Sequence, residues 1–111
     1  MKKVNIVKKS QEFTRIIKTQ NAYVSSSFVI YIERTHNETY HFGISVSKKL
    51  GNAVIRNKLK RQIKSIIDKK DYQNNFNCII ILRKGFLSKT FLEKEQALFK
   101  ELDKLNIYKE D

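Results

Sequence analysis

The sequence has no Pro, no Trp, one Cys and three Gly in 111 residues, and its scarcities exclude several classes of protein. A lone Cys78 cannot form an internal disulfide, and ahead of Ile79-Ile80-Ile81-Leu82 it reads as a buried small hydrophobe rather than a thiolate nucleophile. No apolar run approaches the roughly 20 residues that a spanning helix needs, and the N-terminus carries no cleavable apolar stretch. No membrane partner is expected, and the cytoplasm is the expected compartment. Gly43, Gly51 and Gly85 are isolated, with no linker, repeat or low-complexity tract, so residues 1–111 are read as a single domain. The missing Pro and Trp, with 18 Lys against 5 Arg, read as genome base composition more than physics, and they make each retained Arg more informative.

Acidic residues are scarce too. Eleven Asp and Glu against 23 Lys and Arg leave a formal charge of +12. Yet 41% of the residues are apolar and 11% aromatic, enough for one core, which excludes a wholly disordered basic tail. A folded domain with this excess of cations calls for a polyanion partner.

Period and punctuation place the elements. Ser10 is a good N-cap, with Glu12 in the first turn of a helix that puts Phe13, Ile16 and Ile17 on one face until Asn21 stops it. From about Tyr23 the pattern has period two, with Phe28, Ile30 and Ile32 opposite Val29 and Tyr31. Residues 34–38 read as a hairpin loop. The next strand turns Tyr40, Phe42, Ile44 and Val46 inward and His41, Gly43, Ser45 and Ser47 outward. That small outward strip beside Tyr31 would let an extended ligand approach the sheet, and it would equally suit a packed helix.

A helix is predicted over residues 52–69, with Ile55, Leu59, Ile63, Ile66 and Ile67 on a stripe of about 120°. Asn57, Lys58, Lys60, Arg61 and Lys64 occupy the remaining arc, and Arg56 lies at its boundary. Residues 78–82 form a continuous apolar run of the kind that makes an interior strand. Thr90 and Glu93 form a capping box opening a last helix, with Phe91, Leu92, Leu98, Phe99, Leu102 and Leu105 on its buried face. Helices and strands in this order give an α+β two-layer domain.

The inventory for catalysis is thin. His36 and His41 are read as surface histidines without metal-ligand spacing. Glu93, Glu95, Glu101 and Asp103 alternate with Lys94, Lys100 and Lys104, the pattern of a solvated, salt-bridged face. No catalytic residue is predicted, and no side-chain motif binds a cofactor. Residues 48–70, by contrast, carry nine cations (Lys48, Lys49, Arg56, Lys58, Lys60, Arg61, Lys64, Lys69, Lys70) against Asp68, a net +8. Their mutual repulsion would destabilise the helix unless a partner neutralised it, and phosphates are the obvious partner. Ser47 to Asn52 leads from strand to helix N-terminus, where free backbone N–H groups attract phosphate oxygens. Asn57 offers an amide to a base edge or sugar, and Arg56 and Arg61 offer forked donors.

Phe42-Gly43-Ile44-Ser45-Val46-Ser47-Lys48-Lys49-Leu50-Gly51-Asn52-Ala53-Val54-Ile55-Arg56-Asn57-Lys58-Leu59-Lys60-Arg61 resembles the signature of the bacterial ribonuclease P protein subunit. The resemblance continues at Val7-Lys8-Lys9 with Phe13, at Phe28-Val29-Ile30-Tyr31 and at Ile79-Ile80-Ile81-Leu82-Arg83-Lys84. It implies an α/β sandwich of order α-β-β-β-α-β-α with a left-handed β-α-β crossover, against the usual hand. It also implies an accessory role in endonucleolytic removal of the 5′ leader from precursor tRNA, with the magnesium ions held by the RNA subunit and no obligate protein partner. Docking on that RNA maps to Lys48, Lys49, Gly51, Asn52, Arg56, Asn57, Lys58, Lys60, Arg61 and Lys64. Lys58 and Lys64 replace arginines common in the family, which keeps charge and loses forked donation. The leader cleft maps to Phe13, Ile17 and Tyr31 with Lys8, Lys9 and Arg15, and the Gly43–Ser45 strip is its expected floor. Ile17 replaces a usual aromatic, removing one stacking surface. The alternatives are a ribosomal or general RNA-binding protein with the same sandwich and a self-sufficient nuclease.

Overall fold

A computed structural model of the chain describes residues 1–7 and 9–110, without the side chain of Val4. Helix α1 (Ser10–Thr19), strands β1 (Ala22–Val24), β2 (Phe28–Arg34) and β3 (His41–Ser45), helix α2 (Ala53–Ile67), strand β4 (Phe76–Leu82) and helix α3 (Phe91–Asp103) follow one another in the expected α+β order. Single 3-10 turns at Lys3–Asn5, Lys48–Leu50 and Lys84–Phe86 join them.

The four strands form one sheet ordered β1-β2-β4-β3. The expected hairpin between β2 and β3 does not form. Both strands pair with β4 instead, β2 antiparallel and β3 parallel, so β3-α2-β4 is a β-α-β crossover between neighbours. The cause lies in β4, which is buried at every residue except the half-buried Ile81 and therefore needs cover on both faces and both edges.

Alternation along the strands sorts the side chains into two layers. Phe28, Ile30, Phe42, Phe76, Cys78 and Ile80 meet Leu59, Ile63, Ile66 and Ile67 of α2 and Leu98 and Leu102 of α3 in the main core. Tyr40, Phe42, Tyr72 and Phe76 close one end of it, with Phe42 and Tyr72 edge to face at 5.0 Å between centroids. On the opposite face α1 packs Ile16 against Ile79 and Val7, with Phe13, Ile17, Tyr31 and Ile81 partly covered around them. Full burial pushes the Cys78 thiol pKa up, so it stays a protonated core side chain.

The helix ends agree with the sequence in two cases of three. Asn52 Oδ1 accepts the Ile55 amide at 3.0 Å and opens α2, and Thr90 and Glu93 make both bonds of the capping box. At α1, Ser10 is the first helical residue; Lys9 holds the cap position without a side-chain bond. The apolar stripes are shorter than predicted. Ile55, Phe91 and Leu92 lie in the first turns of α2 and α3 and are exposed. Lys94 takes an inward place on α3 instead of the solvated one expected: its Nζ donates to Gln62 Oε1 at 3.0 Å and sits 4.9 Å from the Phe86 ring centroid. Burial lowers its pKa, and the Lys58 charge lowers it further.

Candidate nucleic-acid interface

The entry to α2 is shaped by three small residues. Ser47 Oγ accepts the Lys49 amide at 3.2 Å and starts the 3-10 turn. Gly51 then adopts φ 154°, a conformation L side chains rarely reach, and a Cβ there would lie 2.7 Å from Ile55 Cγ2. Asn52 spends its side-chain oxygen on the cap. Gly51 and Asn52 thus contribute by shaping the backbone, and the helix N-terminus they produce directs its first amides outward.

Lys48, Lys49, Asn57, Lys58 and Arg61 are exposed, while Arg56, Lys60 and Lys64 are half-buried. The nine cations of residues 48–70 separate into two groups. Lys69 pairs with Glu95 at 2.5 Å, and Lys70 lies over the rings of Phe99 and Tyr108. Among the described residues, none of the other seven makes a salt bridge with the chain. Arg56 Nε is buried without a hydrogen-bond partner among the described residues, a donor held in place at the protein's own cost. The structure therefore concentrates uncompensated positive charge on one arc of α2 and the turn before it.

The α1 face of the sheet is organised in rungs set by strand register. Tyr31, Ile79 and Gly43 form one, and Val29, Ile81 and Ser45 the next. Gly43 is not the open floor expected. Phe13 lies over it, and a Cβ there would come within 2.6 Å of both Phe13 Cζ and Ile79 Cδ1, so the missing side chain makes room for the ring. The accessible floor is the following rung, where Val29, Ile81 and Ser45 are half-buried. Beside it a cavity of about 280 Å³ lies between Ser10 and Phe13 of α1, Ser45 and Val46, and Lys60 of α2. A second, of about 260 Å³, brings Val7, Phe13 and Ile44 together with Lys60 and Lys64.

Lys60 and Lys64, expected on the RNA-docking arc, thus share a groove with Phe13 from the leader set. Ile17 and Tyr31 stand half-buried on the same face, and Lys9 is exposed at the start of α1. Lys8 lies outside the described residues. Arg15 is not an open cation: both its terminal nitrogens bond the two Glu33 carboxylate oxygens, Nη2 to Oε1 at 3.0 Å. That bond holds the Glu33 carboxyl below the usual carboxylate range against the opposing effect of burial, and it raises Arg15. His41, read as a surface histidine, is half-buried with Nδ1 2.8 Å from Asn77 Oδ1. Sequence reasoning missed Ser10 in this groove and Ile81 on the rung beside it. Ile81 was legible in principle, since it stands two residues from Ile79 on β4, but a continuous apolar run conceals which face is which.

The family model described as Ribonuclease P matches residues 1–106. The "Ribonuclease P protein component" of Mesoplasma florum is 40% identical over 95% of this chain and 94% of its own length. That of Mycoplasma mobile is 37% identical over 99% and 97%. A solved Staphylococcus aureus structure, described as an RNase P protein mutant with defective mRNA degradation activity, superposes with a TM-score of 0.85 at 33% identity, covering 96% of this chain and 92% of that one.

Proposed function

The chain belongs to the ribonuclease P protein family, and from that premise we infer that it docks on the catalytic RNA through α2 and its entry turn while holding the 5′ leader of precursor tRNA along the α1 groove. The observation that carries this reading is continuity: on one arc of α2 and the turn before it stand seven cations without salt-bridge partners among the described residues, two of which, Lys60 and Lys64, run into a groove lined by Phe13.

Each part has its own chemistry. Arg56 and Arg61 grip phosphate with two parallel donors, while Lys48, Lys49, Lys58, Lys60 and Lys64 act as point charges. Asn57 reaches a base edge or sugar. In the groove, Tyr31 and Phe13 supply aromatic faces for unstacked bases, the half-buried rung of Val29, Ile81 and Ser45 supplies a low floor, and Lys9 neutralises backbone phosphate. Ile17 contributes apolar contact without a ring. Cleavage belongs to the RNA, and the magnesium ions it needs belong there too. No group of three or more His, Cys, Asp or Glu that could hold a metal ion occurs among the described residues.

Reconstitution tests the reading. Purified protein added to a bacterial ribonuclease P RNA at low magnesium is expected to restore leader removal; no gain where a known subunit works would refute it. The RNA-free arm of the same assay tests the self-sufficient nuclease, which requires cleavage by the protein alone. A general RNA-binding protein would bind both RNAs and leave the cleavage rate unchanged.

A further inference from the structure

A polar rung crosses the sheet beside two largely apolar ones. Glu33 on β2, Asn77 on β4 and His41 on β3 stand directly opposite one another, one step from Tyr31, Ile79 and Gly43. Asn77 is buried, and a buried amide is costly unless its hydrogen bonds are made. Its Nδ2 donates to Glu33 Oε1 at 2.9 Å, its Oδ1 meets His41 Nδ1 at 2.8 Å, and His41 Nε2 lies 3.3 Å from Thr39 Oγ1. The chain of bonds has one direction. A carboxylate only accepts, so Glu33 draws the amide nitrogen toward itself; that turns Oδ1 to the imidazole and puts the proton on Nδ1.

The rung ends on α1, at Arg15, held by both Glu33 oxygens. Little else anchors that helix. Of its ten residues only Ile16 is fully buried, with Phe13 and Ile17 half covered. Register sets the polar rung on one side of the Ile16–Ile79 contact and the groove floor of Val29, Ile81 and Ser45 on the other. The helix is braced from behind the groove it walls.

We propose that Glu33, backed by Asn77 and His41, is a positioning residue for the substrate groove: it fixes Arg15, and through it the α1 wall carrying Phe13 and Ile17, and it withholds Arg15 from the leader phosphates. The proposal rests on the groove being the leader site. It also reassigns Arg15 from a phosphate contact to a brace.

The test is the affinity ratio of the assembled holoenzyme for leader-bearing precursor over mature tRNA. Glu33→Ala and Arg15→Ala are each expected to lower that ratio by about fivefold, the scale of one well-made ion pair. The double variant should lose no more than either single one, and the exchanged pair Arg15→Glu with Glu33→Arg should recover most of the ratio. An Arg15 that grips phosphate behaves differently: Arg15→Ala lowers the ratio and the salt slope by about one, Glu33→Ala raises the ratio by freeing the cation, and the exchanged pair fails. That pattern overturns the proposal, as do equal losses for precursor and mature tRNA. Tyr31→Ala separates the two levels. If it leaves the ratio intact, the groove is not the leader site and the proposal falls with it; if it lowers the ratio while Glu33→Ala does not, the bracing role alone is refuted.

Discussion

On one face of the sheet α2 and α3 together bury Phe28, Ile30, Phe42, Phe76 and Ile80 completely; on the other α1, with Val7, buries Ile79 and leaves Val29, Tyr31, Ser45 and Ile81 half open. The difference is one of width. Four strands at about 4.8 Å spacing span more than the roughly 10 Å diameter of one helix, and α1 has only ten residues with which to cross them. One face is therefore a core and the other a core with an open margin. The margin lies at the end of the sheet from which β3 leads into the cationic turn, so the geometry that exposes it also sets it beside the charge.

The largest test of this contrast is stability. Phe42→Ala, in the closed face, is expected to lower the unfolding free energy by about 3–5 kcal/mol, whereas Ile81→Ala, on the open margin, should cost about 1 kcal/mol in the same denaturant titration. Similar losses would mean that the open face is as fully packed as the closed one. Gly43→Ala comes next. Its new methyl group would displace Phe13 or Ile79, with an expected cost of about 1–3 kcal/mol from overpacking and a parallel loss of precursor selectivity. A stable variant with unchanged selectivity would show that Phe13 does not need its seat on Gly43.

Charge separates the two regions next. Arg61→Ala should weaken docking on the catalytic RNA severalfold and reduce the salt slope by about one, while Tyr31→Ala should spare docking and weaken precursor binding relative to mature tRNA. If both variants fail in the same assay, the arc and the groove are a single site. The smallest effect expected is in acid. Glu33 titrates below its ordinary value of 4.5 in the folded chain, so its contribution is fully present above that value and is lost as pH falls through the lower, folded one. Glu33→Gln should flatten this acid limb of the stability curve, by about 1 kcal/mol at most. An acid limb identical to that of the unaltered chain would place the titrating carboxylate elsewhere.

Neighbouring residues carried much of this in the sequence. Thr90 and Glu93 are three apart and form their capping box wherever the helix lies. The α2 arc is equally local, since Leu59, Ile63, Ile66 and Ile67 turn Lys58, Arg61 and Lys64 away from the core at any helix position facing a sheet. The reading failed where a stripe was extended into a first turn. Ile55, Phe91 and Leu92 keep the helical period, but they lie beyond the surface that covers the rest. It failed again where the partner is distant: Arg15 meets Glu33 across 18 residues, and no local pattern distinguishes that pair from two exposed charges.

The sequence by itself determined the elements, their order, a single main core and a helix with an unusual excess of cations, because period, capping and charge are properties of adjacent residues. Only the tertiary structure decided that β4 stands between β2 and β3, that Gly43 lies beneath Phe13, that Lys60 and Lys64 face the groove, and that Arg15 pairs with Glu33 on the sheet. Each of these depends on groups brought together from distant positions, where strand register and the space left between helices choose among arrangements that the local chain permits equally.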